Sequence, residues 1–511
     1  MNKLFTAKIQ KLIFPEEDEA ALEDVFIEFN QGELVFLSGS PPCKSALCLA
    51  LSNVIPAFVQ GTLMGEVYYK GKNIFNKALP QLAGIIGLVM DDPMNQLFCA
   101  TLEEDLAFAP CNLLIEPSKI KERIKNVLEL VGLSGYEKRK PESLSGGEAQ
   151  RAALASVLAA QPDIIILDNA LTQLDSQGKK EIYEKLNILA VKENKIIIIS
   201  EEKAHNYLDL CHRHIFLEKG KIIYDGFPRN EVPNFLKTRP SFIKGRSRVK
   251  SRLFDEPIIS VKDLSFEYEG GDFALKGLTF NIYPGEFVAL MGKNGAGKTT
   301  LTKHFIGINK PSAGNIKIKN MDTKNHTISQ LSQCVGYLFQ NPQMQICTDS
   351  VENEAAFALK NRKFPEGTIK ERVTKLLDAT GLLKYASLHP YKLSKSNMQK
   401  LALISCLINE PDILIIDEPV SFMSLEESRD IMELVWECNC KGTTVIMITH
   451  DLNLAINYSS RIMVMDDGKV GLDINSTNFL HYKKELKSLG IDISEVIKEG
   501  EIEYEAVTGV Q

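Results

Sequence analysis

An α/β fold written twice, each copy built on a parallel sheet, is the class this 511-residue sequence predicts. Three observations carry it. Matching strings recur at a nearly constant spacing: Gly32-Glu33 and Gly285-Glu286 lie 253 residues apart, while Leu144-Ser145 and Leu393-Ser394, like Asp168 and Asp417, lie 249 apart. Such a period is a domain length and far exceeds a solenoid repeat. Short, wholly apolar runs at 164–167 and 196–199 alternate with helical stretches, the pattern of strands buried on both faces of a parallel sheet. A glycine-rich turn follows another such run, 287–291, and opens a helix.

Composition sets outer bounds. With 44% hydrophobic and 24% charged residues the chain has ample apolar material for more than one core, which excludes general disorder. A formal charge of -7 argues against a nucleic-acid binder, whose footprint is basic. No apolar run approaches the ~18 residues of a membrane span, and residues 1–10 lack a secretory pattern. Ten cysteines scattered from Cys43 to Cys440 fit reduced thiols in a cytosol. The expected organisation is a first copy at 1–228, a basic linker at 229–256, a second copy at 257–475 and a tail at 476–511. The linker gathers Arg239, Lys244, Arg246, Arg248, Lys250 and Arg252 beside prolines, and reads as a solvated connector. The alternation Glu501-Ile502-Glu503-Tyr504-Glu505 reads as solvated tail.

The turn after residues 287–291 is Gly292-Lys293-Asn294-Gly295-Ala296-Gly297-Lys298-Thr299, a complete phosphate-binding loop. Its glycines let the backbone curl so that N–H groups converge on phosphate, Lys298 adds a charge at the β and γ oxygens, and the Thr299 hydroxyl can ligate Mg²⁺. Residues 413–416 form a second buried strand, ending in Asp417-Glu418. That places one carboxylate beside the metal and a candidate base for the attacking water next to it. Loop and acids together point to nucleoside triphosphate hydrolysis. In the first copy, Leu144-Ser145-Gly146-Gly147-Glu148 opens a helix, offering unpaired N–H groups and a positive dipole end to an anion.

On these strings the chain resembles, once per half, the ATPase subunits of ATP-binding cassette (ABC) proteins, whose signature reads LSGGQ or LSGGE. The resemblance implies two tandem P-loop domains, each a RecA-like parallel core with an antiparallel β subdomain and a helical signature subdomain. It implies ATP and Mg²⁺ as ligands. Nucleotide contacts would come from Tyr268 (stacking on adenine), Gly292, Asn294, Gly295, Gly297, Lys298, Thr299 and Thr300. Thr299, Gln340 and Asp417 would hold the metal. Glu418, His450 in Thr449-His450-Asp451 and the loop glutamine Gln340 would serve catalysis.

The halves depart from the family pattern in opposite places. The first loop, Gly39-Ser40-Pro41-Pro42-Cys43-Lys44-Ser45, is one residue short. Its two prolines carry no N–H, and Cys43 replaces a glycine. Asn169 stands for the catalytic glutamate, Asp91 for the loop glutamine and Glu201 for the switch histidine. In the second half the signature degrades to Leu393-Ser394-Lys395-Ser396-Asn397, and Met423-Ser424 replaces Leu174-Asp175. Family cassettes pair head to tail, each ATP lying between one loop and the other signature. The resemblance therefore brings Ser145, Gly146, Gly147 and Asp175 of the first half to the intact loop of the second, as a pseudo-dimer within the chain. One hydrolytic and one sterile site follow. Lys44, Ser45, Asp168 and Ser394 survive at the sterile one and leave residual nucleotide binding there open.

After the glutamine loop the chain reads Asn341-Pro342-Gln343-Met344-Gln345 and then Val351-Glu352-Asn353-Glu354-Ala355-Ala356-Phe357, echoed by Asp92-Pro93-Met94-Asn95-Gln96 and Leu102-Glu103-Glu104-Asp105-Leu106-Ala107-Phe108. These strings resemble the ATPases of energy-coupling factor importers of vitamins or of cobalt and nickel ions. The implied partners are a membrane scaffold subunit and a substrate-binding membrane subunit, and the implied place is the cytoplasmic face of the membrane. Glu103, Glu104, Glu352 and Glu354 fit two readings equally: contact with basic residues of such a scaffold, or an ordinary acidic helix start favoured by the helix dipole. The alternative is a soluble tandem ABC ATPase acting on ribosomes or DNA. Cys211-His212-Arg213-His214 has a metal-like look, but its place before a strand reads as structural.

Overall fold

A computed structural model of the chain describes residues 3–15, 20–75, 77–174, 176–201, 207–227, 256–268, 273–420, 423 and 425–491. The chain divides into two compact units, residues 1–239 and 240–511. Residues 229–255 of the basic linker and the acidic alternation at 501–505 lie outside the described residues.

Each unit has the same two sheets. In the second, a six-stranded sheet runs Val335–Leu338, Ile413–Asp417, Thr444–Ile448, Phe287–Gly292, Arg461–Asp466, Lys469–Asn475. The first five strands pair parallel, and the last is antiparallel. In the first unit the order is the same: Ile86–Val89, Ile164–Asp168, Ile196–Ser200, Leu34–Gly39, Arg213–Glu218, Lys221–Gly226. Every residue of Ile164–Asp168, Ile196–Ser200, Ile413–Asp417 and Thr444–Ile448 is buried. That is why these strands read as unbroken apolar runs. A four-stranded antiparallel sheet packs beside each core, built in the first unit from Leu22–Asn30, Lys3–Ile13, Thr62–Tyr69 and Lys72–Asn73.

A helical layer completes each unit. In the second, Val351–Asn361, Glu366–Ala379 and Lys395–Leu407 bury Val351, Leu359, Ile369, Val373, Leu401 and Ile404 in a core of their own. Residues 476–491, expected as tail, instead fold onto the second core. A 3₁₀ segment, Ser476–Tyr482, and a helix, Lys483–Ser488, bury Phe479, Leu486 and Ile491 against its sheet. The spacing of these apolar residues matches no single helical face, so the sequence hides their shared burial.

Candidate nucleotide site

In the second unit the central strand Phe287–Gly292 delivers the chain to the phosphate loop at the carboxyl edge of the sheet, where ligands bind in folds of this kind. Two glycines shape the turn. Gly292 has φ +137°, and a Cβ there would lie 2.2 Å from the Met465 carbonyl oxygen. Gly297 has φ +95°, and a Cβ would lie 2.6 Å from the Ala274 oxygen. Helix Lys298–Phe305 begins directly after it. The N–H groups of Gly295, Gly297, Lys298 and Thr299 have no backbone carbonyl partner among the described residues, so they stand available to an anion. Lys298 Nζ donates to the carbonyls of Gly292 at 2.7 Å and Lys293 at 2.9 Å. Thr299 Oγ1 donates to Asp417 Oδ2 at 3.0 Å.

The cleft over this loop has a volume of about 290 Å³ and is lined by Tyr268, Asn294, Gly295, Gly297, Lys298, Thr299, Thr300, Gln340, Asp417, Glu418 and His450, together with Ala274 and Ile448. The residues expected in the second half thus gather around one space, with Gly292 just beneath as a carbonyl partner of Lys298. Tyr268 is half exposed, and its hydroxyl shares a 3.0 Å hydrogen bond with Thr300 Oγ1. Glu418 takes a left-handed φ of +49° at the strand end. Its Oε1 accepts the His450 N–H at 3.1 Å and lies 3.7 Å from His450 Nε2. The two side chains are therefore in reach of each other. The pair Thr299–Asp417 presents hard oxygen ligands of the kind Mg²⁺ takes with only one or two protein groups. Residues and metal fit.

Burial charges this cleft at a cost. It lowers the Lys298 ammonium to about 8, against the opposing pull of Glu418 and Asp417. It raises the Asp417 carboxyl to about 6, against the Thr299 hydrogen bond and the charges of Lys298 and Lys303. Mg²⁺ favours ionised Asp417 and phosphate favours charged Lys298. Binding of MgATP is therefore expected to release a proton from Asp417 below about pH 6 and to take one up at Lys298 above about pH 8. Calorimetry at pH 5.5 and 8.5, in buffers of different ionisation enthalpy, reads the two fluxes directly. The same sign at both pH values would contradict the assignment.

A family model described as ABC transporter matches residues 22–172 and 275–421, once in each unit. The chain belongs to the ABC transporter family. An ABC transporter ATP-binding protein of Methanosarcina acetivorans, so named, is 34% identical, the match covering 94% of this chain and 87% of that one. A similarly named protein of Caldanaerobacter subterraneus subsp. tengcongensis is also 34% identical, over 89% of this chain and 88% of that one. Among solved structures, cbiO1 from Clostridium perfringens, described as part of the ABC transporter complex cbiONQ, shares 32% identity. It covers 48% of this chain and all of that one, with a TM-score of 0.42. This ABC protein is thus a double-cassette ATP-binding subunit of the ATP-hydrolysing type.

The first cassette builds the corresponding place differently. Its helix starts at Pro41, at the position proline favours, whereas the second cassette keeps an open loop up to Gly297. Ser40 N–H donates to the Leu217 carbonyl and Lys44 N–H to Ser40. The prolines have no N–H, so among the described residues only the Cys43 amide is left over. Cys43 is buried, and its sulfur accepts the Gly220 N–H at 3.2 Å. Ser45 Oγ still donates to Asp168 Oδ1 at 3.0 Å, but Lys44 is fully buried with no hydrogen-bond partner for Nζ among the described residues. Asn169 keeps the left-handed backbone of Glu418, with φ +48°. At the switch position, Glu201 is buried in an ion pair with Lys179 Nζ at 3.0 Å and accepts the Tyr183 hydroxyl at 2.6 Å. Sequence spacing carries no sign of this triplet.

The signatures differ as sharply. In the first cassette Ser145 caps helix Gly146–Ala159. A Cβ on Gly146 would fall 1.5 Å from Gln173 Oε1, and one on Gly147 3.1 Å from Leu174 Cδ2. The two glycines therefore leave room for the Gln173 and Leu174 side chains just before Asp175, itself outside the described residues. Gln150 ties that loop down by accepting the Gln173 N–H at 2.8 Å and donating to Thr172 at 3.1 Å. In the second cassette Ser396 takes the place of Gly147, and its hydroxyl donates to Glu427 at 2.5 Å, beside Lys400 Nζ at 2.6 Å from the same oxygen. The side chain that replaces Gly147 is thus tethered to Glu427 beside the helix start. One ring nitrogen of each histidine in Cys211-His212-Arg213-His214 has a structural partner: His212 Nδ1 accepts the Leu34 N–H at 3.0 Å, and His214 Nε2 pairs with Ser38 Oγ at 2.6 Å.

Proposed function

We propose that this ABC ATPase energises a membrane importer of the energy-coupling factor type, taking up a vitamin or a transition-metal ion, through one hydrolytic and one degenerate site. In the hydrolytic site, Lys298 and the loop amides hold the phosphates of ATP, and Tyr268 stacks on adenine. Thr299, Asp417 and Gln340 hold Mg²⁺, which supplies charge neutralisation at the β and γ oxygens. Glu418 accepts a proton from the attacking water, and His450 monitors the γ-phosphate. Ser145, Gly146, Gly147 and Asp175 complete the site from the first cassette. The amide-poor loop at Pro41 and the Ser396–Glu427–Lys400 cluster support sterility at the other.

The observation that carries the membrane reading is a repeated exposed apolar ridge just after the glutamine loop. In the first cassette Met94, Phe98 and Phe108 are exposed, the two rings meeting edge to face at 4.9 Å. In the second, Phe357 stands at the place of Phe108 and is exposed, and Met344, one position beyond the counterpart of Met94, is 76% exposed. Exposed apolar groups clustered this way mark a protein contact. Of the acids named for that contact, Glu352 and Glu104 are exposed and only Glu354 is buried. Glu354 is buried and accepts the Cys347 and Thr348 N–H groups, Glu103 pairs with Lys138, and Glu104 accepts the Thr101 N–H. Among the described residues no helix is long and apolar enough to cross a membrane, so the spans would come from the scaffold and substrate-binding subunits, at the cytoplasmic face.

Full-length tagged chain is expected to capture small membrane proteins from detergent-solubilised membranes. A Phe98→Glu/Met344→Glu variant should lose that capture by about tenfold while keeping basal ATP turnover. Co-sedimentation with ribosomes, unchanged in this variant, would instead favour the soluble alternative.

A further inference from the structure

Tyr268 belongs to a closed circuit of contacts that runs from the cleft into the core of the second unit. Its ring meets that of Phe266 edge to face, with centroids 4.9 Å apart and planes at 82°. Phe266, in the strand Ile259–Glu267, meets the His304 ring in the same way, at 4.7 Å and 82°. His304 lies in helix Lys298–Phe305, which opens on the phosphate loop, and is wholly buried. Its Nδ1 donates to the Thr300 carbonyl at 2.7 Å, and Thr300 Oγ1 returns to the Tyr268 hydroxyl at 3.0 Å. Phe266 and Tyr268 are two residues apart, on one side of an extended chain, while Thr300 and His304 are four apart, on one face of a helix.

Packing alone does not account for a histidine in this place. A carbonyl only accepts, so Nδ1 carries the proton of the neutral imidazole and Nε2 a lone pair. Nε2 is buried without a hydrogen-bond partner among the described residues. Burial lowers the imidazole pKa, against the pull of the Thr300 carbonyl, and so keeps the ring uncharged at pH 7. Leucine would fill such a space without stranding a polar atom. What leucine lacks is a flat ring locked to the helix backbone. In the first cassette, where Lys44 answers to Lys298, the positions of Thr300 and His304 hold Ala46 and Ala50, both fully buried. The cassette with the donor-poor loop has neither the hydroxyl nor the ring.

We infer that His304 is a positioning residue for the base of ATP: through Phe266 and Thr300 it fixes the plane of Tyr268, and so sets the affinity for adenosine without touching the phosphates. The inference rests on the reading that Tyr268 stacks on adenine. A half-exposed tyrosine free to turn would lose that freedom on binding, whereas one already held loses little.

The test is steady-state ATP turnover by the full chain, with ADP and inorganic pyrophosphate as competing inhibitors that share a diphosphate and differ by adenosine. His304→Leu and Phe266→Leu are each expected to raise KM for ATP and the inhibition constant of ADP about two- to tenfold, the range of one aromatic pair. The pyrophosphate constant and kcat should stay within about twofold. His304→Phe, which keeps a ring against Phe266, should restore most of the ADP affinity. Tyr268→Ala should weaken ADP at least about fivefold, the size of one lost base stack. If Tyr268→Ala weakens ADP while the two leucine variants, at unchanged melting temperature, do not, the positioning role is refuted and the stacking stands. If His304→Leu weakens pyrophosphate as much as ADP, His304 serves the phosphate loop and the inference is overturned. If Tyr268→Ala leaves ADP binding unchanged, the stacking reading fails, and the inference falls with it.

Discussion

Glu418→Gln is expected to lower steady-state ATP turnover by at least about 100-fold, the size of a lost general base, while ATP still binds. The amide keeps an acceptor for the His450 N–H, so the backbone at φ +49° has no reason to move. What disappears is the ability to take a proton. Lys44→Ala should retain most of the turnover, because Lys44 is buried within the helix that begins at Pro41 and reaches no cradle of amides. Phosphate release at saturating ATP, with binding followed separately by a fluorescent analogue, distinguishes the two variants. An active Glu418→Gln with an inactive Lys44→Ala would reverse the assignment of sites.

Lys179→Met should produce the largest loss of stability. Its ammonium is paired with the buried Glu201 carboxylate, their side chains only 12% and 5% exposed. Removing one partner strands the other in a poorly hydrated place, which costs about 3–5 kcal/mol. The apparent melting temperature of the first unit should fall by roughly 10 °C. Adding Glu201→Gln, which keeps an acceptor for Tyr183 without the charge, should recover most of that fall. A drop under about 1 kcal/mol in Lys179→Met would show the pair to be solvated. The outcome bears on function because Glu201 occupies the place of the switch histidine, and a fixed ion pair there does not respond to a phosphate.

The strands were legible because burial on both faces leaves an unbroken apolar run. Residues 164–167, 196–199, 287–291 and 413–416 all fall inside observed strands. The phosphate loop was legible because its function demands a fixed spacing of glycines and a lysine. The first loop was read correctly as poor in donors, yet its conversion into helix depends on proline at the start of Pro41–Leu51, a signal the loop motif masks. Lys179 with Glu201, and Ser396 with Glu427, stayed hidden because pairs about 20 to 30 residues apart have no periodic signature. Glu354 stays ambiguous in the sequence because an acid at a helix start reads the same whether it faces solvent or, as here, folds back to hold Cys347 and Thr348.

The early helix at Pro41 has a consequence for how the protein senses its surroundings. Twin competent loops would let one bound nucleotide prepare the way for the next, giving a threshold response to the energy charge of the cell. On the reading proposed above, with hydrolysis at the second cassette alone, turnover would answer to ATP through a single saturable event, and a single event yields a graded curve. On that reading, transport driven by this subunit would track the adenylate pool smoothly, slowing as it drains and never switching off abruptly.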